Sequence, residues 1–319
     1  MNKYTLRTDL ADELIKTKPQ IEEEIEITKI KIDKETSKKI NKKEGTYITL
    51  SFKNINEKIK KCLKRELNTL IKNYLKENSL GLIIGLGNEK STPDSLGPLT
   101  IKKILVTNHL YMYDSLEEGF KRTCAIAPGV TGETGIETQV LIKSIKENIN
   151  PDYIIVIDAL ASSSVERLNN VIQITDAGIS PGSGVGNKRK EISQNTLNVP
   201  VIAIGVPTVT TTSTVVKDTL KYLTQNYTFQ KNIKPKDKLK IKHNYLNEKI
   251  NQKDKEELLG LIGKLNEEET INLIYETLNP IGYNFLITPK EEDFIIEKLA
   301  RLIGESINEI IHTKLTSIK

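Results

Sequence analysis

The chain has 319 residues, 28% of them charged and 37% hydrophobic, with a formal net charge of +5 at pH 7. This length suits one large domain with a buried core or two modest ones, and the small positive balance, without aromatics interleaved in a basic patch, argues against direct nucleic-acid binding. No apolar run reaches the roughly 18 residues of a membrane span, the polar start MNKYTLRTDLADELIK has no secretory core, and Cys62 and Cys124 form neither a disulfide framework nor a zinc site, so a cytoplasmic protein is expected.

In chain order, residues 1–20 read as charged and loosely structured. IEITKIKI (25–32) alternates apolar and polar with period two, as a half-buried strand does. TYITLSF, after the turn signal KKEG, reads as its antiparallel partner. An amphipathic helix is expected over 55–77. The pattern then changes. LGLIIGL (80–86) and YIIVID (153–158) are continuous apolar runs, the mark of strands buried on both faces. TCAIA (123–127), VIQIT (171–175) and VPVIAIG (199–205) are further strands. Helices are expected at about 94–110, over ETQVLIKSIKEN, and at about 213–226. Buried strands alternating with helices imply an α/β fold, a mostly parallel twisted sheet flanked by helices on both faces, with the antiparallel pair added at the N-terminal side. The polar, lysine-rich stretch 228–256 reads as an exposed or mobile insertion. Helices over 257–278 and 291–317 follow, and the sheet core spans about 80–226 of a single domain.

Parallel sheets gather ligands at the carboxyl ends of their strands. Three loops leave such ends: GLGNEKSTPDSLGP (85–98), APGVTGETGIET (127–138) and IDALASSSVER (157–167), and a fourth, TDAGISPGSGVGNKRKE (175–191), enters the last strand. Glycines such as Gly129 and Gly132 let backbone N–H groups approach a ligand closely. Two carboxylates stand out. Asp158 ends an apolar strand, where burial favours the neutral acid. Asp94 follows Thr92-Pro93 at a helix start, where the dipole favours the anion. An acid and a base with divergent pKa values suit water-activated amide hydrolysis; an Asp at a helix start is also a common cap, and one at a strand end often bonds a loop. His109, His243 and His312 all lie outside these loops, which disfavours Ser–His–Asp and Cys–His sites. Lys188, Arg189 and Lys190 suit phosphate or an acidic side chain, or form a solvated helix start.

The loops quoted above, with VPVIAIGVPTV and LITPKEEDFI, resemble the signature blocks of the germination protease (spore protease) family, and the resemblance runs from RTDLA to the final helix. It implies an endopeptidase of the spore core that initiates degradation of small acid-soluble spore proteins during germination. It also implies a self-processing zymogen, a homotetramer, and a fold like that of the hydrogenase maturation proteases. The site implied is aspartic-type, without cofactor or metal, with one Asp in the T-P-D block and one in the I-D-A-L-A block: Asp94 and Asp158 here. Family substrates are cut after an acidic residue and before an apolar residue and Ala. Thr8-Asp9-Leu10-Ala11 has that form, so residues 1–9 are the expected propeptide, cut between Asp9 and Leu10, and 10–319 the peptidase domain. Lys188, Arg189 or Arg167 would then hold the acidic side chain at the cut. Two other readings stay open. One gives the same two aspartates a divalent metal, although no His lies in the matching loops. The other is a non-catalytic module that grips extended peptides.

Overall fold

The computed structural model describes residues 8–182, 190–233, 245–246 and 248–317. The described residues form two compact units, a larger one built from 8–162, 166–209 and 288–317, and a smaller one built from 163–165 and 210–287.

The larger unit is organised by one sheet. Its strands are β1 (Gln20–Glu22), β2 (Ile25–Ile32), β3 (Gly45–Ser51), β4 (Leu80–Gly85), β5 (Arg122–Ile126), β6 (Tyr153–Ala161), β7 (Val171–Thr175) and β8 (Val201–Thr211). Their spatial order is β1-β2-β3-β7-β8-β6-β4-β5. The four strands β8, β6, β4 and β5 run parallel. The other side of the sheet is antiparallel and larger than the expected strand pair, because β3 continues onto β7 and β7 onto β8. The sheet is therefore mixed.

Alternation along β6 shows why both faces are covered. Ile155 and Ile157 face one core, shared with Ile59, Leu63 and Leu67 of the helix Glu57–Ile71 and with Leu299, Ile303 and Ile307 of the helix Glu292–Ile311. Ile154 and Val156 face a second core with Leu82, Ile84 and Ile142, the last from the helix Thr138–Ile149. Each such buried aliphatic side chain contributes about 1.5–3 kcal/mol, so β6 anchors both layers.

The single helix expected at 94–110 is absent. A 3₁₀ turn (Thr92–Asp94) and two short helices (Leu96–Ile101 and Asn108–Met112) stand in its place. The break has a cause: the buried Thr107 donates its N–H to Thr123 O at 3.0 Å and its hydroxyl to Lys121 O at 2.5 Å, which draws the chain onto β5.

In the smaller unit, β9 (Leu286–Ile287) pairs with the last residues of β8. The helix Thr212–Asn232 runs into the stretch expected to be a polar insertion, and the helix Gln252–Leu259 occupies its other end. The two are joined where the buried Asp254 accepts from Thr228 and Lys231, each at 2.9 Å. No helix among the described residues is long and apolar enough to cross a membrane.

Candidate active site

The parallel strands set the site. β4 ends at Gly85, opposite Ile157 of β6, and Leu86 adds one more bond by donating its N–H to Ile157 O at 2.8 Å. Asp158 comes next on β6 and is 5% exposed. By alternation its side chain shares the face of Ile154, Val156 and Leu160. One carboxylate oxygen accepts the Ala159 N–H at 3.0 Å.

Asp94 lies on the tightly folded loop that follows β4. Its carboxylate accepts the Asn88 N–H at 2.9 Å, so it holds the loop just after β4 and does not cap the following helix. Gly87 makes this possible: its φ is +114°, and a Cβ there would collide with the Asp94 carbonyl oxygen. Gly97 in turn lies against the Leu86 backbone with no room for a side chain. Thr208 of β8 donates its hydroxyl to Pro93 O at 2.7 Å and fixes the turn from below. Both carboxylates are thus anchored within two residues of the Leu86–Ile157 hydrogen bond.

The glycine loop after β5 lies beside them. Gly129 has φ +72°, a Cβ at Gly132 would meet open space, and Lys90 of the Asp94 loop pairs with Glu133 at 3.2 Å. Lys188 and Arg189 lie outside the described residues. Arg167 faces the N-terminal segment: one guanidinium nitrogen donates to both carboxylate oxygens of Asp12, at 2.9 and 2.7 Å, and Glu13 accepts from Ser162 at 2.6 Å.

From Thr8 to Glu13 that segment is held, not loose as its polarity suggests. Asp9 donates its N–H to Ala161 O at 3.0 Å, and its carboxylate accepts the Ala161 N–H at 2.9 Å. Leu10 and Ala11 are fully buried, Leu10 against Leu160 and Val171.

A family model described as germination protease matches residues 4–318. The chain belongs to the germination protease family. The germination protease of Bacillus cereus (strain B4264) is 40% identical over 352 residues, covering 99% of this chain and 96% of that one. That of Geobacillus sp. (strain WCH70) is 41% identical over 311 residues, covering 91% and 84%. Among solved structures, a NiFe hydrogenase maturation protease from Thermococcus kodakarensis KOD1 aligns at TM-score 0.34 and 12% identity, over 76% of this chain and 97% of that one.

Two residues of this germination protease that no motif marks sit against the Asp9 segment. Gln173 of β7 donates to Asp9 O at 3.1 Å and accepts the Ala11 N–H at 2.8 Å. It is paired in register with Gly205, which is itself paired with Asp158, so Gln173 and Asp158 share one row across three strands. Lys42, after the helix Lys34–Ile40, donates to Thr8 O at 3.0 Å. Burial pushes its ammonium pKa down, against the pull of Asp9 and Glu13. A polar Gln inside VIQIT was the one available signal, since a buried amide needs partners.

Proposed function

We propose that this germination protease is an aspartic-type endopeptidase of the spore core that begins the degradation of small acid-soluble spore proteins, made as a zymogen that cuts itself between Asp9 and Leu10 and works as a cytoplasmic homotetramer. The observation that carries the chemistry is the joint anchoring of Asp94 and Asp158 about the Leu86–Ile157 bond. In this reading the two carboxyl groups share a proton over one water. The ionised partner takes a proton from the water as it attacks the scissile carbonyl, and the protonated partner polarises that carbonyl. The pair titrates as a unit. Backbone N–H groups of the 128–135 loop, beside Asp94 through the Lys90–Glu133 pair, would stabilise the oxyanion.

The test is direct. Asp94→Asn and Asp158→Asn, each melting like the wild type, should lose peptidase activity by several orders of magnitude, and full turnover in either removes that residue from the scheme. Activity that survives a chelator separates this chemistry from a metal-assisted use of the same carboxylates. Mass spectrometry of the matured protein should find Leu10 at the N-terminus; any other first residue defeats the assigned cut.

A further inference from the structure

The geometry points to Lys42, with Gln173 and the Ala161 backbone, as a subsite for an acidic side chain of a peptide substrate, filled in the uncut chain by Asp9. This inference rests on the peptidase reading above. β6 runs past the end of β4, so its edge from Ala159 to Ala161 is not paired with that strand. Ser162 turns its N–H to Val209 O of β8, which directs the Ala161 N–H and C=O to the edge that β4 leaves, and there they meet Asp9. An extended peptide can add to such an edge through its main chain. Ala161 lies three residues beyond Asp158 on β6, about 10 Å along an extended strand, so a peptide in this seat runs on the same strand as one of the catalytic candidates.

The seat is also selective. A cavity of about 200 Å³ is lined by Asp9, Lys42, Leu160, Gln173 and Gly205 among others. The acidic groups that bear on the Lys42 ammonium are Asp9 and Glu13, both from the N-terminal segment. The neighbouring Lys43 is paired with Glu191 at 2.6 Å, and Arg167 is taken up by Asp12. Next to the acid, Leu10 packs against Leu160 and Val171, and Ala11 is buried among Ile30, Ile32 and Tyr47. Once the residues through Asp9 leave, Lys42 loses the Thr8 carbonyl and the charge of Asp9, and an acidic side chain of a substrate takes their place, while Leu10 and Ala11 stay with the matured chain.

Two peptides copied from residues 4–16, one with Asp and one with Asn at position 9, test this with wild-type, Lys42→Gln and Lys42→Arg proteins. The wild type should favour the Asp peptide by roughly tenfold or more in kcat/KM, with the difference in KM, as attraction between the ammonium and a carboxylate requires. Lys42→Gln should bring the ratio to about one, and Lys42→Arg should keep it. Equal use of both peptides by the wild type overturns the proposal without any variant, and so does a Lys42→Gln protein with the wild-type ratio. If Lys42→Gln does not fold, the wild-type and Lys42→Arg ratios decide. Failure to cut either peptide counts against the peptidase reading instead; the ratio of Kd values by fluorescence anisotropy then decides the Lys42 question.

Discussion

Thr208 and Pro93 are joined by a 2.7 Å hydrogen bond from the Thr208 hydroxyl to the Pro93 carbonyl, and Thr208 is fully buried. The bond ties β8 to the turn that carries Asp94. It belongs to a longer polar path: Thr288 donates to Thr208 O at 3.0 Å, Asn169 donates its N–H to Pro207 O at 2.8 Å, and its side-chain amide donates to Glu292 at 2.5 Å. Thr208→Val keeps the shape and removes the donor. The cost in stability should be about 1–2 kcal/mol. Activity should suffer more than folding, with kcat down roughly tenfold and KM little changed, because the loss is in the placement of Asp94. Steady-state kinetics beside a denaturant titration separates the two effects.

Gly87→Ala should be harsher. Its backbone is left-handed and the added methyl would overlap the Asp94 carbonyl oxygen. Dihedral strain alone costs about 1–3 kcal/mol, and the overlap forces the Asp94 turn to move. Loss of activity with a lowered Tm is expected. A variant with wild-type kcat would mean that the loop tolerates another path.

Arg167→Ala should release the N-terminal segment. The bonds from one guanidinium nitrogen to both Asp12 oxygens and the contact with Glu13 at 3.4 Å are lost together. Hydrogen exchange of the Asp9 and Ala11 amides should accelerate, and a protease added in trace should cut within 8–13 first. Arg167→Lys should restore only part of the protection, since a single ammonium cannot serve Asp12 and Glu13 from two separate nitrogens as the guanidinium does. Unchanged exchange in Arg167→Ala would assign the anchoring to Ala161, Gln173 and Lys42.

Glu292 supplies a pH dependence. Burial lifts its carboxyl above the usual value of 4.5, with hydrogen bonds from Asn169 and Thr288 working the other way. Just above 4.5 the folded chain keeps a proton that the unfolded chain has released, so the free energy of unfolding falls as pH rises through that window. Glu292→Gln cannot ionise and should remove this slope, with a Tm at neutral pH equal to or above the wild type. Melting curves between about pH 4 and 8 check it; an unaltered slope would transfer the effect to other groups.

The fold was legible where burial leaves a local trace. The apolar runs around Ile83 and Ile155 mark strands sealed on both faces, and the alternation from Ile25 to Ile32 marks the edge meander. Asp158 was legible as a charge set in such a run, although the strand does not end there as expected: β6 continues to Ala161 because Ala159, Leu160 and Ala161 stay paired with β8. The surroundings of Asp94 were less so. Its role in bracing the Asn88 amide depends on Gly87 and Gly97 lying against backbone that the motif does not display, and the break at Thr107 depends on β5. The seat of Asp9 left no local trace at all, because Ala161 and Gln173 are more than 150 residues away.

The overhang of β6 beyond β4 has a consequence for competition. The tail that covers it is tethered to the same molecule, so its local concentration does not fall on dilution and is of millimolar order for a short link. A free peptide in search of the Ala161 groups contends with that fixed rival until the covalent link is cut. Scission turns a permanent neighbour into a diffusible fragment, and occupancy of the ledge then depends on how much substrate surrounds it.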